Sequence, residues 1–321
     1  MKFKPILVFT GEPNSIFSEI LIKSINKVKI KKPIIIISSK KLLKRQLKKL
    51  KFNKKIRLLD YKKISDYDLN NKSLNLINVD YNQKKAFDKI TNKSNKYIQD
   101  CFDIAFNIVK KENILRFING PISKKNFLKK KYLGITEYIS DYFKKKNTCM
   151  LIFNKKLSVC PVTTHLPLKL VSKEINKNNI KNKVVLIQNF YREYLNKVPR
   201  IGILGLNPHC ETILNFNEDE KIIKPLVLKM RKSGYKINGP IPADTVFLKK
   251  NREKYDVIIG MYHDQVLTPI KTLFEYDAIN ITLGLPFLRV SPDHGPNEKM
   301  MGRNISNPLS LIKALQFLDK H

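Results

Sequence analysis

The chain has no stretch of about 20 consecutive apolar residues, the length a helix needs to cross a bilayer, so no membrane span is expected. Its four cysteines, Cys101, Cys149, Cys160 and Cys210, show no close pairing such as C-x-x-C. Free thiols in a reducing compartment are the expectation. The opening MKFKPILVFTGEPNS has too short an apolar run for a secretory signal, and a turn follows at once. The cytoplasm is therefore the expected location. Arginine is scarce: nine of the 62 basic residues are Arg and the rest are Lys. The net charge of +35 draws attention to nucleic acid. Nucleic-acid readers lean on Arg for bidentate contacts and interleave aromatics with their basic residues. Here the lysines are scattered among Asn and Ile, which points to a solvated lysine surface and no nucleic-acid partner. Such an exterior still attracts phosphorylated metabolites over long range. There is no G-x-G-x-x-G after the first apolar run and no P-loop, so any nicotinamide cofactor must be bound another way. No internal repeat is visible.

What is present reads as α/β. With 321 residues, 42% of them hydrophobic, the chain can build roughly two domains with a sizeable core. Pro5–Thr10 and Pro33–Ser38 read as buried strands, each followed by a helix, Ser18–Val28 and Lys41–Leu50. Strand and helix alternating at this spacing imply a parallel sheet with crossovers. The segment 52–92 is polar and yields no clear element. Ile98, Cys101, Phe102, Ala105, Phe106 and Val109 form one apolar stripe and predict a helix. Met150–Phe153 and Leu157–Val162 predict a hairpin, an antiparallel insertion. Arg200–Leu206 and Asp256–Gly260 read as strands, with Gly239–Thr245 as a stiff loop before the second.

Chemistry concentrates where strands stop, which is where open α/β sheets place their sites. The stretch Met261–Gly295 carries Tyr262-His263-Asp264-Gln265, then Lys271, an apolar run containing Asn280, then Arg289 and Asp293-His294-Gly295. Of only five histidines, His165, His209 and His263 each follow a β-type run. Imidazole suits zinc or a similar divalent ion, and three ligands with an open position is a catalytic arrangement. A hydrogen-bonded histidine at a strand end is the competing explanation for each. Asp244 and Asp264 are candidate bases or partners to a ligand, or simply turn caps. Lys271 and Arg289 could hold a phosphate or carboxylate, or form surface ion pairs. Asn280 inside an apolar strand needs partners for its amide. Together these residues suit a small, anionic, metal-chelating substrate.

The motifs GEPNSIFSEI, INGPISKK, GITEY, TTHLPLKLV, LGLNPHC, GPIPADTVF, MYHDQVLTPIK, NITLGLPFLRVSPDHG and MMGR occur in order from Gly11 to Arg303. In these the chain resembles the 4-hydroxythreonine-4-phosphate dehydrogenases of vitamin B6 biosynthesis. The resemblance implies a fold similar to isocitrate and isopropylmalate dehydrogenases: two α/β/α domains with mixed, mostly parallel sheets and a cleft between them. The expected division is 1–128 plus 297–321 for the first domain and 129–296 for the second. It also implies a homodimer whose sites use both subunits, and a phosphorylated hydroxy amino acid as substrate. The implied reaction is NAD- or NADP-dependent oxidation of 4-phosphooxy-L-threonine to 2-amino-3-oxo-4-phosphooxybutanoate, which then loses CO2. One divalent metal (Zn, Mg or Co) is implied at His165, His209 and His263. Substrate contacts are implied at Thr136, Lys271, Asn280 and Arg289, catalytic roles at Asp244 and Lys271, and a cofactor loop at Asp293, His294 and Gly295.

This chain departs from the family pattern in places. Ile135 stands where a substrate-contacting histidine is usual. Cys210-Glu211-Thr212-Ile213-Leu214 replaces a run with three glycines. A dehydrogenase of another phosphorylated hydroxy acid, such as a four-carbon sugar acid phosphate, is the alternative. A catalytically impaired binding protein of the same fold is another.

Overall fold

The computed structural model describes residues 4–128, 131–213, 216–292 and 294–321. Along the chain run β1 (Ile6–Phe9), α1 (Phe17–Lys27), β2 (Ile34–Ser38), α2 (Lys40–Lys49), β3 (Ile56–Leu59), β4 (Leu74–Asn78), α3 (Asn95–Lys111), β5 (Arg116–Asn119), α4 (Lys124–Phe127) and α5 (Ile135–Tyr142). Then come β6 (Cys149–Phe153), β7 (Ser158–Thr163), α6 (Leu168–Glu174), α7 (Lys177–Leu195), β8 (Ile201–Leu204), α8 (Lys224–Lys232), β9 (Ile237–Ile241), α9 (Ala243–Val246) and α10 (Lys249–Arg252). The chain closes with β10 (Val257–Tyr262), α11 (His263–Phe274), β11 (Ile279–Leu283), β12 (Leu288–Pro292) and α12 (Leu309–Lys320). No helix among the described residues is long and apolar enough to cross a membrane.

Contacts divide the chain into two compact units, Met1–Ile135 with Pro286–His321, and Thr136–Leu285. In the first unit the strand order is β3-β4-β2-β1-β5-β12, and every pairing is parallel. The central strands ILVF and IIIIS are buried at every position, as a sheet covered on both faces demands. The predicted stripe of α3 is the buried face of that helix. Phe102 there is fully buried, edge-on to Phe9 at 4.9 Å and tilted against Phe106 at 5.2 Å. Burying one such ring stabilises the fold by about 2–3 kcal/mol.

In the second unit the order is β11-β6-β7-β10-β8-β9. Strand β6 is antiparallel to both its neighbours, β11 and β7, which is the predicted insertion. Strands β7, β10, β8 and β9 are parallel. Ile152, Val159, Ile258, Val266 and Ile270 belong to one buried cluster that packs α11 on this sheet.

Three local readings change. Residues 52–92 hold β3 and β4. Strand β3 ends the sheet and is only partly buried, so Arg57 interrupts the apolar signal. The expected stiff loop at Gly239–Thr245 begins inside β9. An edge strand tolerates Pro240, because one side of it needs no N–H donor. The units divide at 135/136 and 285/286 rather than 128/129 and 296/297. The reason is β12, which pairs with β5 in register Arg289↔Phe117 and so carries Arg289 into the first unit.

Candidate active site

Four parallel neighbours end on the same edge of the second unit's sheet, and each delivers a predicted residue there. Beyond β7 comes His165, beyond β10 His263, beyond β8 His209, and beyond β9 Asp244. Adjacent strands lie about 4.8 Å apart. Because β10 sits between β7 and β8, His263 is the middle one of the three histidines by strand position.

The side chains form two pairs. The rings of His165 and His263 are 5.8 Å apart between centroids. His263 is anchored by Asp264, whose Oδ1 is 2.7 Å from its Nδ1. A carboxylate on Nδ1 leaves Nε2 as the outward-facing nitrogen. His209 Nδ1 stands 4.0 Å from Asp244 Oδ2, beyond hydrogen-bond distance, and both side chains are exposed. His209 and the following Cys210 both hold left-handed backbone, φ 55 and 64. Non-glycine residues adopt this at a cost of about 1–2 kcal/mol each. Burial pushes the Cys210 thiol up to about 11, with Asp219 adding to it, so this cysteine is no ready nucleophile.

Three imidazoles, two of them beside a carboxylate, are a donor set whose chemistry fits a borderline divalent cation. Among the described residues, however, no three His, Cys, Asp or Glu side chains lie close enough together to hold one as they stand. His165 and His263 are paired, and His209 keeps company with Asp244 instead.

The other predicted residues are distributed as follows. Lys271 is exposed on α11, eight residues after His263 and therefore about 12 Å further along the helix axis. Asn280 lies in β11, and its Oδ1 is buried with no hydrogen-bond partner among the described residues. Thr136 opens the second unit at the start of α5, and its carbonyl accepts from Ser140 Oγ at 2.7 Å. Ile135 is buried at 8% exposure. Arg289 is buried in the first unit, and its Nε donates to Asn119 Oδ1 at 2.8 Å. His294 is half-buried, with Nδ1 3.0 Å from the Gly295 carbonyl. Asp293 lies outside the described residues.

A family described as pyridoxal phosphate biosynthetic protein PdxA matches residues 29–318. The chain belongs to this family. It is 37% identical to the 4-hydroxythreonine-4-phosphate dehydrogenase of Sulfurihydrogenibium sp., over 97% of this chain and 96% of that protein. It is 28% identical to the D-threonate 4-phosphate dehydrogenase of Salmonella typhimurium, over 92% of each. The crystal structure of 4-hydroxythreonine-4-phosphate dehydrogenase from Klebsiella pneumoniae superposes with a TM-score of 0.83 at 27% identity, covering 99% of this chain and 100% of that one.

In doubly wound sheets a dinucleotide lies in the crevice where strand order reverses, here at β1 and β5. That crevice is filled by backbone: Glu12 N donates to Pro121 O at 2.8 Å, and Gly120 N to Phe9 O at 2.8 Å. Gly11, at φ +76, has no space for a side chain against Gly120 and Pro121.

Sequence reasoning passed over several residues that the structure puts to work. Asn119, inside the INGP motif, holds the Arg289 guanidinium. Glu137 accepts from Thr164 Oγ1 at 3.3 Å, tying α5 to the residue before His165. The signal available for both was a polar residue next to a strand end or helix start, too common to single them out.

Proposed function

We propose that the protein oxidises the C3 hydroxyl of 4-phosphooxy-L-threonine with NAD or NADP, giving 2-amino-3-oxo-4-phosphooxybutanoate. Hydride passes from C3 to the nicotinamide and the hydroxyl proton leaves to a base. The β-keto acid then releases CO2 to give 3-amino-2-oxopropyl phosphate for pyridoxal phosphate biosynthesis. The observation carrying this is the imidazole set at one sheet edge, in a chain aligned over nearly its full length with a relative named for that activity.

Each residue has a role in this reading. Lys271 offers an exposed ammonium and Arg289 a planar guanidinium to the anionic ends of the substrate. Asn280 offers a free acceptor to a substrate N–H or O–H. Asp244 relays the proton or steadies His209. His165, His263 and His209 would hold a divalent cation, Zn, Mg or Co, which when bound lowers the pKa of a coordinated hydroxyl as a Lewis acid. The reading includes a cytoplasmic homodimer and a cofactor loop at Asp293, His294 and Gly295.

A second reading has support from two observations. Ile135 cannot donate a hydrogen bond where the family pattern has histidine, and one relative is named for D-threonate 4-phosphate. That acid carries a hydroxyl at C2 where 4-phosphooxythreonine carries an amine. NADH formation from each substrate, with and without added divalent metal, decides between them. Turnover of D-threonate 4-phosphate with 4-phosphooxythreonine inert would remove the first reading. No turnover of either would remove both.

A further inference from the structure

The first unit has a second place where neighbouring strands send the chain to opposite faces of the sheet. Strand β2 leads through α2 to β3 at the sheet edge, while β4, beside it, leads through α3 back across the sheet to β5. Right-handed crossovers therefore put α2 and α3 on opposite faces. A cavity of about 580 Å³ lies past the carboxyl end of β4, between the loop that follows this strand and the start of α3. Small-ligand sites measure about 300–1,000 Å³, and open α/β sheets place them at such switch points. All the residues lining this cavity belong to the first unit.

The loop is pinned by the buried Asn14. Its Nδ2 donates to Gln83 Oε1 at 3.0 Å, and its Oδ1 accepts from Gln83 Nε2 at 3.0 Å and from Asp88 N at 2.9 Å. The half-buried Tyr81 ring rests on the buried Tyr97 ring, centroids 5.0 Å apart, and both line the cavity. Burial pushes the Tyr81 phenol up, with Glu12 and Asp88 adding to the rise, so it stays a neutral O–H donor. Exposed Lys84, Lys89, Lys93 and Lys96 also line the cavity. Its three carboxylates are committed elsewhere. Asp100 holds Lys96 at 2.5 Å, Asp80 Oδ1 accepts from Asn78 Nδ2 at 2.9 Å, and Asp88 Oδ1 accepts from Lys89 N at 2.9 Å. Lys84, Lys89 and Lys93 form no ion pair among the described residues. No side chain caps α3, because Ser94 Oγ donates to Glu12 Oε2 at 3.2 Å instead. An uncapped helix start beside three uncommitted ammonium groups attracts a phosphate. Glu12, held by Ser94 at this wall, keeps a buried Oε1 with no hydrogen-bond partner among the described residues. A buried acceptor left unmatched beside a cavity calls for a donor from outside the fold.

We propose that this cavity binds a planar ring bearing a phosphate, a ligand of mononucleotide size, with the ring against Tyr81 and the phosphate among Lys84, Lys89 and Lys93 at the start of α3. The proposal does not depend on the histidines of the second unit. A free nucleotide and the adenosine phosphate half of NAD or NADP share this chemistry, and the test separates them. The full chain is titrated calorimetrically with AMP, adenosine and inorganic phosphate at physiological ionic strength, where loose attraction to surface lysines is screened. The variants are Tyr81→Leu and a double variant, Lys84→Ala with Lys93→Ala, whose exposed side chains the fold does not need. AMP is expected to bind at least ~10-fold more tightly than adenosine or phosphate, and to lose ~10-fold or more in affinity in both variants. Displacement of AMP by NAD or NADP assigns the site to the cofactor. AMP binding that neither cofactor disturbs assigns it to a separate nucleotide. No binding of AMP, binding no tighter than that of inorganic phosphate, or wild-type AMP affinity in the double lysine variant would overturn the proposal.

Discussion

Replacing Glu12 with glutamine should change the pH dependence of stability in a defined direction. Glu12 follows β1 and is 1% exposed. Its Oε2 accepts from Ser94 Oγ at 3.2 Å, while Oε1 is buried with no hydrogen-bond partner among the described residues. Burial raises its pKa from the ordinary 4.5 to about 7, with Glu298 adding to the rise and the bonds from Ser94 and the Asn14 backbone opposing it. The folded chain thus holds this proton more tightly than the unfolded chain. Stability from this group is fully present below pH 4.5 and is lost as pH rises to about 7. The loss is roughly 1.4 kcal/mol per pH unit and about 3 kcal/mol in all. Glutamine has no such titration. It also carries an amide nitrogen without an assured acceptor, a pH-independent cost of about 1–3 kcal/mol. The prediction is therefore about the slope. In urea unfolding, Glu12→Gln should gain about 3 kcal/mol relative to wild type between about pH 4.5 and pH 8. A stability difference that stays constant across that range would refute the reasoning.

Other expected outcomes follow from single contacts. Asn119→Ala removes the acceptor of Arg289 Nε and should raise KM for the phosphorylated substrate about 10-fold, with a smaller effect on kcat; unchanged steady-state kinetics would separate Arg289 from the substrate. Ile135→His should raise kcat/KM for 4-phosphooxythreonine relative to D-threonate 4-phosphate, while the buried imidazole costs about 1–2 kcal/mol of stability. Competition between the two substrates checks it, and an unaltered ratio would show that position 135 does not read the substrate. Phe102→Ala should cost about 3–5 kcal/mol in denaturant unfolding. A loss below about 1 kcal/mol would mean the ring is not part of the core.

Much of the architecture was legible where a single period dominates. The three- and four-residue spacing from Ile98 to Val109 reappears as the buried face of α3. The apolar runs at β1 and β2 are buried throughout, and the β6–β7 hairpin pairs as expected. Strand β3 was invisible because an edge strand needs burial on fewer positions, and Arg57 breaks its pattern. Strand β9 was hidden by Pro240, which its edge position tolerates. Asn280 was singled out as an amide in an apolar strand that needs partners, and its buried Oδ1 has none among the described residues. Gln265 lay in plain view inside Tyr262-His263-Asp264-Gln265, yet its bond to Gly205 spans 60 residues. The Arg289–Asn119 bond spans 170, and no local pattern announces either.

Local sequence determined which segments are strands and helices, and that histidines follow three of the strands. It did so because side-chain periodicity and turn chemistry act over a few residues. Which strands are neighbours was decided only in three dimensions. In sequence the histidines come in the order 165, 209, 263, but β10 inserts between β7 and β8. The last histidine therefore stands in the middle, ring against His165. Parallel pairing through long crossovers is fixed by how whole layers pack, and it leaves no mark at any one residue.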